Sequence, residues 1–182
     1  MPFTFKKLSL PEVILVESKI FPDERGKFFE LHKESDFKEA GIKEEFVQSS
    51  VSLSKKNALR GLHFQKPPYG QAKLIAAIKG KILDVAVDMR KSSPNFGKWA
   101  AEELSGGEGK MLYIPIGFAH GFLALSEDAA VVYKMSSEYA PDSDGGVIWN
   151  DPKLNISWPV RDPLLSGKDS KLPNFENAFY FD

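Results

Sequence analysis

The stretch AKLIAAIKGKILDVAVDMR, residues 72–90, holds two short apolar runs separated by a glycine between two lysines. Runs this short, rich in isoleucine, leucine and valine, read as strands. Gly80 between them predicts a hairpin turn. The same signature repeats outward along the chain, in EVILVES (12–18), KFFELH (27–32), EFVQSSVSLS (45–54), KMLYIPI (110–116), GFLALS (121–126) and AAVVYKMSS (129–137). Turn clusters follow at 90–98, 105–110 and 140–146. Many short strands at this spacing predict an all-β sandwich or barrel rather than alternating βα units. One helix is expected at SDFKEAG (35–41), with Ser35 as N-cap and Gly41 as the stop.

The bulk numbers narrow the class. The chain has 182 residues, which suits one domain over 1–182 burying about 70% of its unfolded surface. With 42% hydrophobic and 27% charged residues it should fold rather than stay disordered. A net charge of −1, with both signs mixed along the chain, gives no basic footprint for nucleic acid. Cysteine is absent, which excludes disulfides, thiolate metal sites and thiol nucleophiles. No apolar run approaches the ~20 residues of a membrane helix, and the first residues lack a signal-peptide core. A cytoplasmic location is the expectation.

Two segments have one-sided polarity. In 45–54, Gln48, Ser50, Ser52 and Ser54 share one face and Val47, Val51 and Leu53 the other. In 81–88, Asp84 and Asp88 oppose Leu83, Val85 and Val87. Such a face is usually solvated; the other reading is that it lines a polar cavity inside a barrel.

Two of the three histidines sit in strand-like segments, His63 in ALRGLHFQ (58–65) and His120 in IPIGFAHGF (114–122). Pro115, Gly117 and His120 form a P-x-G-x-x-H pattern that resembles the second motif of the cupin superfamily. Metal-binding cupins take other ligands from an H-x-H pair, but here His63 is flanked at those positions by Gly61 and Gln65. Two histidines fall short of the three protein ligands a catalytic site keeps, so no metal is expected.

RGLHFQ (60–65), QAKLI (71–75), GKILDVAVDMRKSSPNFGKW (80–99), YIPIGFAHGFLALSE (113–127), YKMSSEYAP (133–141) and WNDPKLNISWP (149–159) stand in one order. Together they resemble the dTDP-4-dehydrorhamnose 3,5-epimerase family, from DERGKFFE at 23–30 to LSGKD at 165–169. The resemblance implies a cupin jelly-roll barrel with a few short peripheral helices, acting as a homodimer without cofactor. Its substrate would be a dTDP-linked 4-keto-6-deoxyhexose, epimerised at C3 and C5.

The chemistry asks for matching residues. Both carbons lie alpha to the C4 ketone, so inversion needs a base on one sugar face, an acid on the other and a cation at the enolate oxygen. A neutral imidazole, with a reference pKa of ~6.5, suits the base, and His63 is the candidate. The resemblance assigns Asp169 as its partner, Tyr133 as the acid and Lys73 as the cation. Each alone has a plainer reading: a structural histidine, a half-buried core aromatic, a loop carboxylate, a surface lysine. For the nucleotide sugar the resemblance offers Arg25 and Arg60 as anion-binding residues, with Glu30, Gln48, His120 and Tyr139 as further contacts. Phe21 and Phe28 are candidates to pack near the base, although phenylalanine is usually core.

Arg60 and His63 have opposite parity on a regular strand, so placing both in one pocket requires a bulge or twist at Gly61. The chain also departs from the family pattern. Ser49-Ser50 stands where many members have Asp-Asn, and Asp144 where a longer Glu is expected, which bears on nucleotide and sugar preference. If the first segments cross to a partner's sheet, Arg25 and Glu30 would complete the neighbour's pocket. Epimerisation at C3 alone is the near alternative; a metal-dependent or non-catalytic sugar-binding cupin is the remote one.

Overall fold

The computed structural model describes residues 2–182, and its strands form two facing antiparallel sheets. One sheet has the order β1 (Phe3–Lys7), β2 (Ile14–Ser18), β10 (Lys110–Ile114), β7 (Lys73–Lys79), β12 (Asp128–Met135) and β5 (Gln48–Lys55). The other runs β13 (Asp144–Gly146), β6 (Leu59–Gln65), β11 (Phe118–Ala124), β8 (Lys81–Asp88) and β9 (Trp99–Ser105). A separate ribbon pairs β3 (Phe21–Asp23) with β4 (Gly26–Phe28). One short helix, α1 (Glu34–Glu39), and three single 3₁₀ turns complete the all-β jelly roll of the cupin type. No helix among the described residues is long and apolar enough to cross a membrane.

The 72–90 stretch is two strands, but not a hairpin. β7 and β8 belong to opposite sheets, so Gly80 makes a corner between them rather than a turn within one. Its φ is +71°, and a Cβ there would lie 2.0 Å from the Asp128 carbonyl oxygen. A glycine between two apolar runs signals a turn without saying which strands pair. Other expectations shift as well. KFFELH is extended only to Phe28. Lys33, not Ser35, is the N-cap; Ser35 lies inside α1 and its hydroxyl donates to Asp36. The stop at Gly41 holds, with φ +92° just beyond the helix. β1, β9 and β13 carried too little apolar alternation to be read as strands.

Three apolar clusters hold the layers. Between the sheets, Leu15, Ile75, Leu112 and Val131 meet Ile82, Ala86, Leu104 and Phe122. The outer face of the smaller sheet (Leu62, Val85, Val87) is covered by the C-terminal segment through Leu154, Phe175 and Phe181. The outer face of the larger sheet is covered by Phe37 and Ile42 over β2, β7 and β10. That cover stops before β5, where Val47, Val51 and Leu53 are exposed. Between the sheets the interior is filled by the first of these clusters and opens as a cavity beside β5.

Candidate active site

The polar row of β5 is the first wall of that cavity. Gln48, Ser50 and Ser52 point into it while the apolar row faces out, the reverse of the usual solvated-face pattern. Asp84 and Asp88 also lie on an inward row, that of β8, but are fully buried and do not line the cavity. The cavity measures about 450 Å³, within the range of small-molecule sites.

The opposite wall is built on a bulge. His63 pairs with His120 and Arg60 with Phe122, so β6 carries one more residue than β11 between these two pairs. Gly61 sits at the extra position with φ +135°, where a Cβ would lie 2.4 Å from the Cα of Gly121. The irregularity expected from the parity of Arg60 and His63 is present, and both line the cavity. Arg60 is steadied by β5, its Nε donating to Ser54 Oγ at 3.0 Å and its Nη2 to the Leu53 carbonyl at 3.3 Å.

His63 Nε2 lies 2.6 Å from Asp169 Oδ1, and no hydrogen bond from Nδ1 occurs among the described residues. Asp169 opens a 3₁₀ turn, its amide donating to Ser166 Oγ. Burial opposes its ionisation, but hydrogen bonds from His63, Ser166 and the Gly61 amide outweigh that and hold the carboxyl below its ordinary range. A fixed carboxylate sets the imidazole tautomer and its direction.

Tyr133 comes from β12 in the facing sheet, its hydroxyl 3.1 Å from Ser52 Oγ. Burial pushes the phenol up to about 12 against that hydrogen bond, so it holds its proton at neutral pH. Lys73, at the start of β7, is buried and donates from Nζ to the His63 carbonyl at 3.1 Å. Burial lowers its ammonium to about 8, opposed mainly by the charge of Asp84. Gln48, whose Oε1 accepts the Tyr139 amide at 2.8 Å, places Tyr139 at the rim.

Five of the sequence candidates stand elsewhere. Arg25, Glu30, Phe21 and Phe28 do not line the cavity of their own chain. The β3–β4 ribbon that carries three of them pairs with neither main sheet, and Arg25 is tied to Asp23 at 2.6 Å. His120 does not line the cavity either; it lies buried behind His63 with Nε2 2.7 Å from Asp84 Oδ1. Ser52 stands where the cavity reading of the 45–54 polar face put it, while Ser166 and Lys168, also on the cavity wall, are residues that sequence reasoning passed over. Lys168 pairs with Asp144 across the mouth. Its place beside Asp169 was the available signal.

A barrel that opposes an oriented imidazole and a protonated phenol beside a buried ammonium defines an enzyme of proton transfer next to a carbonyl. The model of the dTDP-4-dehydrorhamnose 3,5-epimerase family matches residues 7–177. The chain is 49% identical to the Shigella flexneri dTDP-4-dehydrorhamnose 3,5-epimerase, over 96% of this chain and 97% of that one. The crystal structure of the Sulfolobus tokodaii enzyme of the same name superposes with a TM-score of 0.93 at 44% identity, covering all of both chains. A Legionella pneumophila dTDP-6-deoxy-D-glucose-3,5-epimerase in complex with dTDP-4-keto-L-rhamnose gives 0.93 at 39% identity, covering 96% of this chain and 94% of that one. The chain belongs to the dTDP-4-dehydrorhamnose 3,5-epimerase family.

Proposed function

We propose that this chain converts dTDP-4-dehydro-6-deoxyglucose to dTDP-4-dehydro-L-rhamnose by inverting C3 and C5. The observation that carries the reading is the origin of His63 and Tyr133 on facing sheets of one cavity. His63 Nδ1 takes the proton alpha to the C4 ketone. The C–H electron pair becomes the C=C bond, and the carbonyl pair moves to oxygen beside the Lys73 ammonium. When the ketone re-forms, Tyr133 delivers its proton to the other face of the same carbon. The sugar then turns to present its second alpha carbon. Each step is redox-neutral, and the sequence asks for no cofactor.

Arg60 and Lys168, cations on the cavity wall, would take the diphosphate, and Tyr139 at the rim the nucleotide. The test is proton NMR of the product: inverted ring couplings at both carbons support the reading, while inversion at C3 alone selects the single-site alternative. Because Lys73 acts charged, kcat/KM should fall as pH rises past about 8. A profile still flat at pH 10 would remove Lys73 from the oxyanion role.

The homodimer belongs to the same proposal. Val51 and Leu53 are 62% and 77% exposed on an edge strand, and the Arg25 ribbon pairs with neither main sheet and does not line its own cavity. An uncovered apolar edge calls for a partner strand, and a second copy would bring Arg25 and Glu30 to this site. Val51→Asp should convert a two-chain particle to a monomer in size-exclusion chromatography with light scattering. A monomeric unmodified protein would defeat the assembly.

A further inference from the structure

We propose that Asp84 is a positioning residue for the oxyanion site, the buried counter-charge that keeps Lys73 an ammonium in the cavity wall. The inference rests on the proton-transfer reading above and concerns a residue that touches neither cavity nor substrate.

Asp84 is 0% exposed on a row of β8 whose neighbours are Ile82 and Ala86. A carboxylate in such a row is strongly disfavoured unless other charges or donors compensate it. His120 Nε2 meets Oδ1 at 2.7 Å, and Oδ2 has no hydrogen-bond partner among the described residues. Lys73 is in the complementary position. Its single hydrogen bond goes to a neutral carbonyl, and no carboxylate among the described residues makes a contact ion pair with it.

The other charged and titratable groups around Lys73 are already committed. Asp169 is bound to His63, and Asp144 is paired with Lys168 across the mouth. Lys168 itself repels Lys73. His120 is driven towards its neutral form by burial, and Tyr133 keeps its proton. Asp84 remains as the anion available to Lys73: its partner His120 pairs across the strands with His63, whose carbonyl Lys73 binds at 3.1 Å, and the Asp84 charge favours the ammonium. Inside a protein such an attraction persists beyond contact distance. Burial pushes the Asp84 carboxyl up, while His120 and Lys73 draw it back. The Lys73 ammonium in turn favours the ionised form of Asp84.

The experiment uses full-length Asp84→Asn, Lys73→Met and the double variant. In Asp84→Asn the alkaline limb of kcat/KM should move down by about one pH unit, roughly a fivefold loss at pH 8 that approaches tenfold by about pH 9. Activity should partly recover at lower pH, with KM nearly unchanged. A uniform loss with the limb unmoved would mean a structural role and overturn the proposal. The melting temperatures supply a second readout, independent of turnover. Lys73→Met strands Asp84, so adding Asp84→Asn should raise the Tm of that variant. If the second change lowers Tm instead, the two groups are not coupled and the proposal falls. The double variant carries neither charge, so it decides the matter even if Asp84→Asn alone does not fold. Coupled Tm values in an inactive unmodified protein would defeat the epimerase reading and leave the pair standing; an active protein without coupling would do the reverse.

Discussion

His63→Asn is expected to lower kcat about a thousandfold, the scale of a positioned general base, while dTDP-sugar binding stays within about threefold. Asparagine keeps a polar group beside Asp169 but cannot carry a proton away from carbon. Arg60, Lys168 and Tyr139, the cavity-wall residues proposed to hold the nucleotide and diphosphate, are untouched by the change. Tyr133→Phe provides the contrast. It removes the donor on the opposite wall and leaves the base in place, so solvent exchange at the alpha carbon should persist while inversion is lost. Equal loss of exchange in both variants would break the division of labour between the walls. Steady-state kinetics beside isotope exchange separates the two cases.

Gly61→Ala should damage fold and site together. Its φ of +135° is closed to side chains, and the new Cβ would lie 2.4 Å from Gly121 Cα and 2.9 Å from the His120 carbonyl oxygen. Both are backbone atoms of the neighbouring β11, so relief means separating two strands. Backbone strain and a ladder forced apart together suggest about 4 kcal/mol, a large share of the roughly 5–15 kcal/mol of a typical domain. For a chain of this length that is a fall in Tm of roughly 10 °C. Arg60 and His63 would also lose their shared direction, so activity should drop in whatever fraction folds. A Tm within about 2 °C of the unmodified protein would show that the bulge tolerates a side chain.

The strands that carry chemistry were legible because alternation marks which residues share a face. The bulge at Gly61 was legible once the resemblance put Arg60 and His63 in one pocket, because their opposite parity then required an irregularity between them. Which face looked inward was not legible. Ser50 and Ser52 line the cavity while Val51 and Leu53 meet solvent, because period-two alternation is blind to inside and outside once the inside is polar. Pairing was hidden too: Gly80 announced a turn, and only the register shows that the chain changes sheets there. Asp84 was visible with Asp88 as the polar face of an otherwise apolar segment, yet its partner His120 lies 36 positions away on a neighbouring strand. The His63–Asp169 contact spans 106 positions, and resemblance alone brought those two residues together in the sequence. For the Arg25 ribbon, the expectation of a nucleotide contact is not met within one chain.

The measurement that bears most directly on the central claim is proton NMR in D₂O with dTDP-4-dehydro-6-deoxyglucose, run on the unmodified protein and on His63→Asn. The account predicts deuterium at both C3 and C5 with the unmodified protein and at neither with His63→Asn. Exchange that survives in His63→Asn, or an unmodified protein that binds the nucleotide sugar and exchanges neither proton, would contradict it.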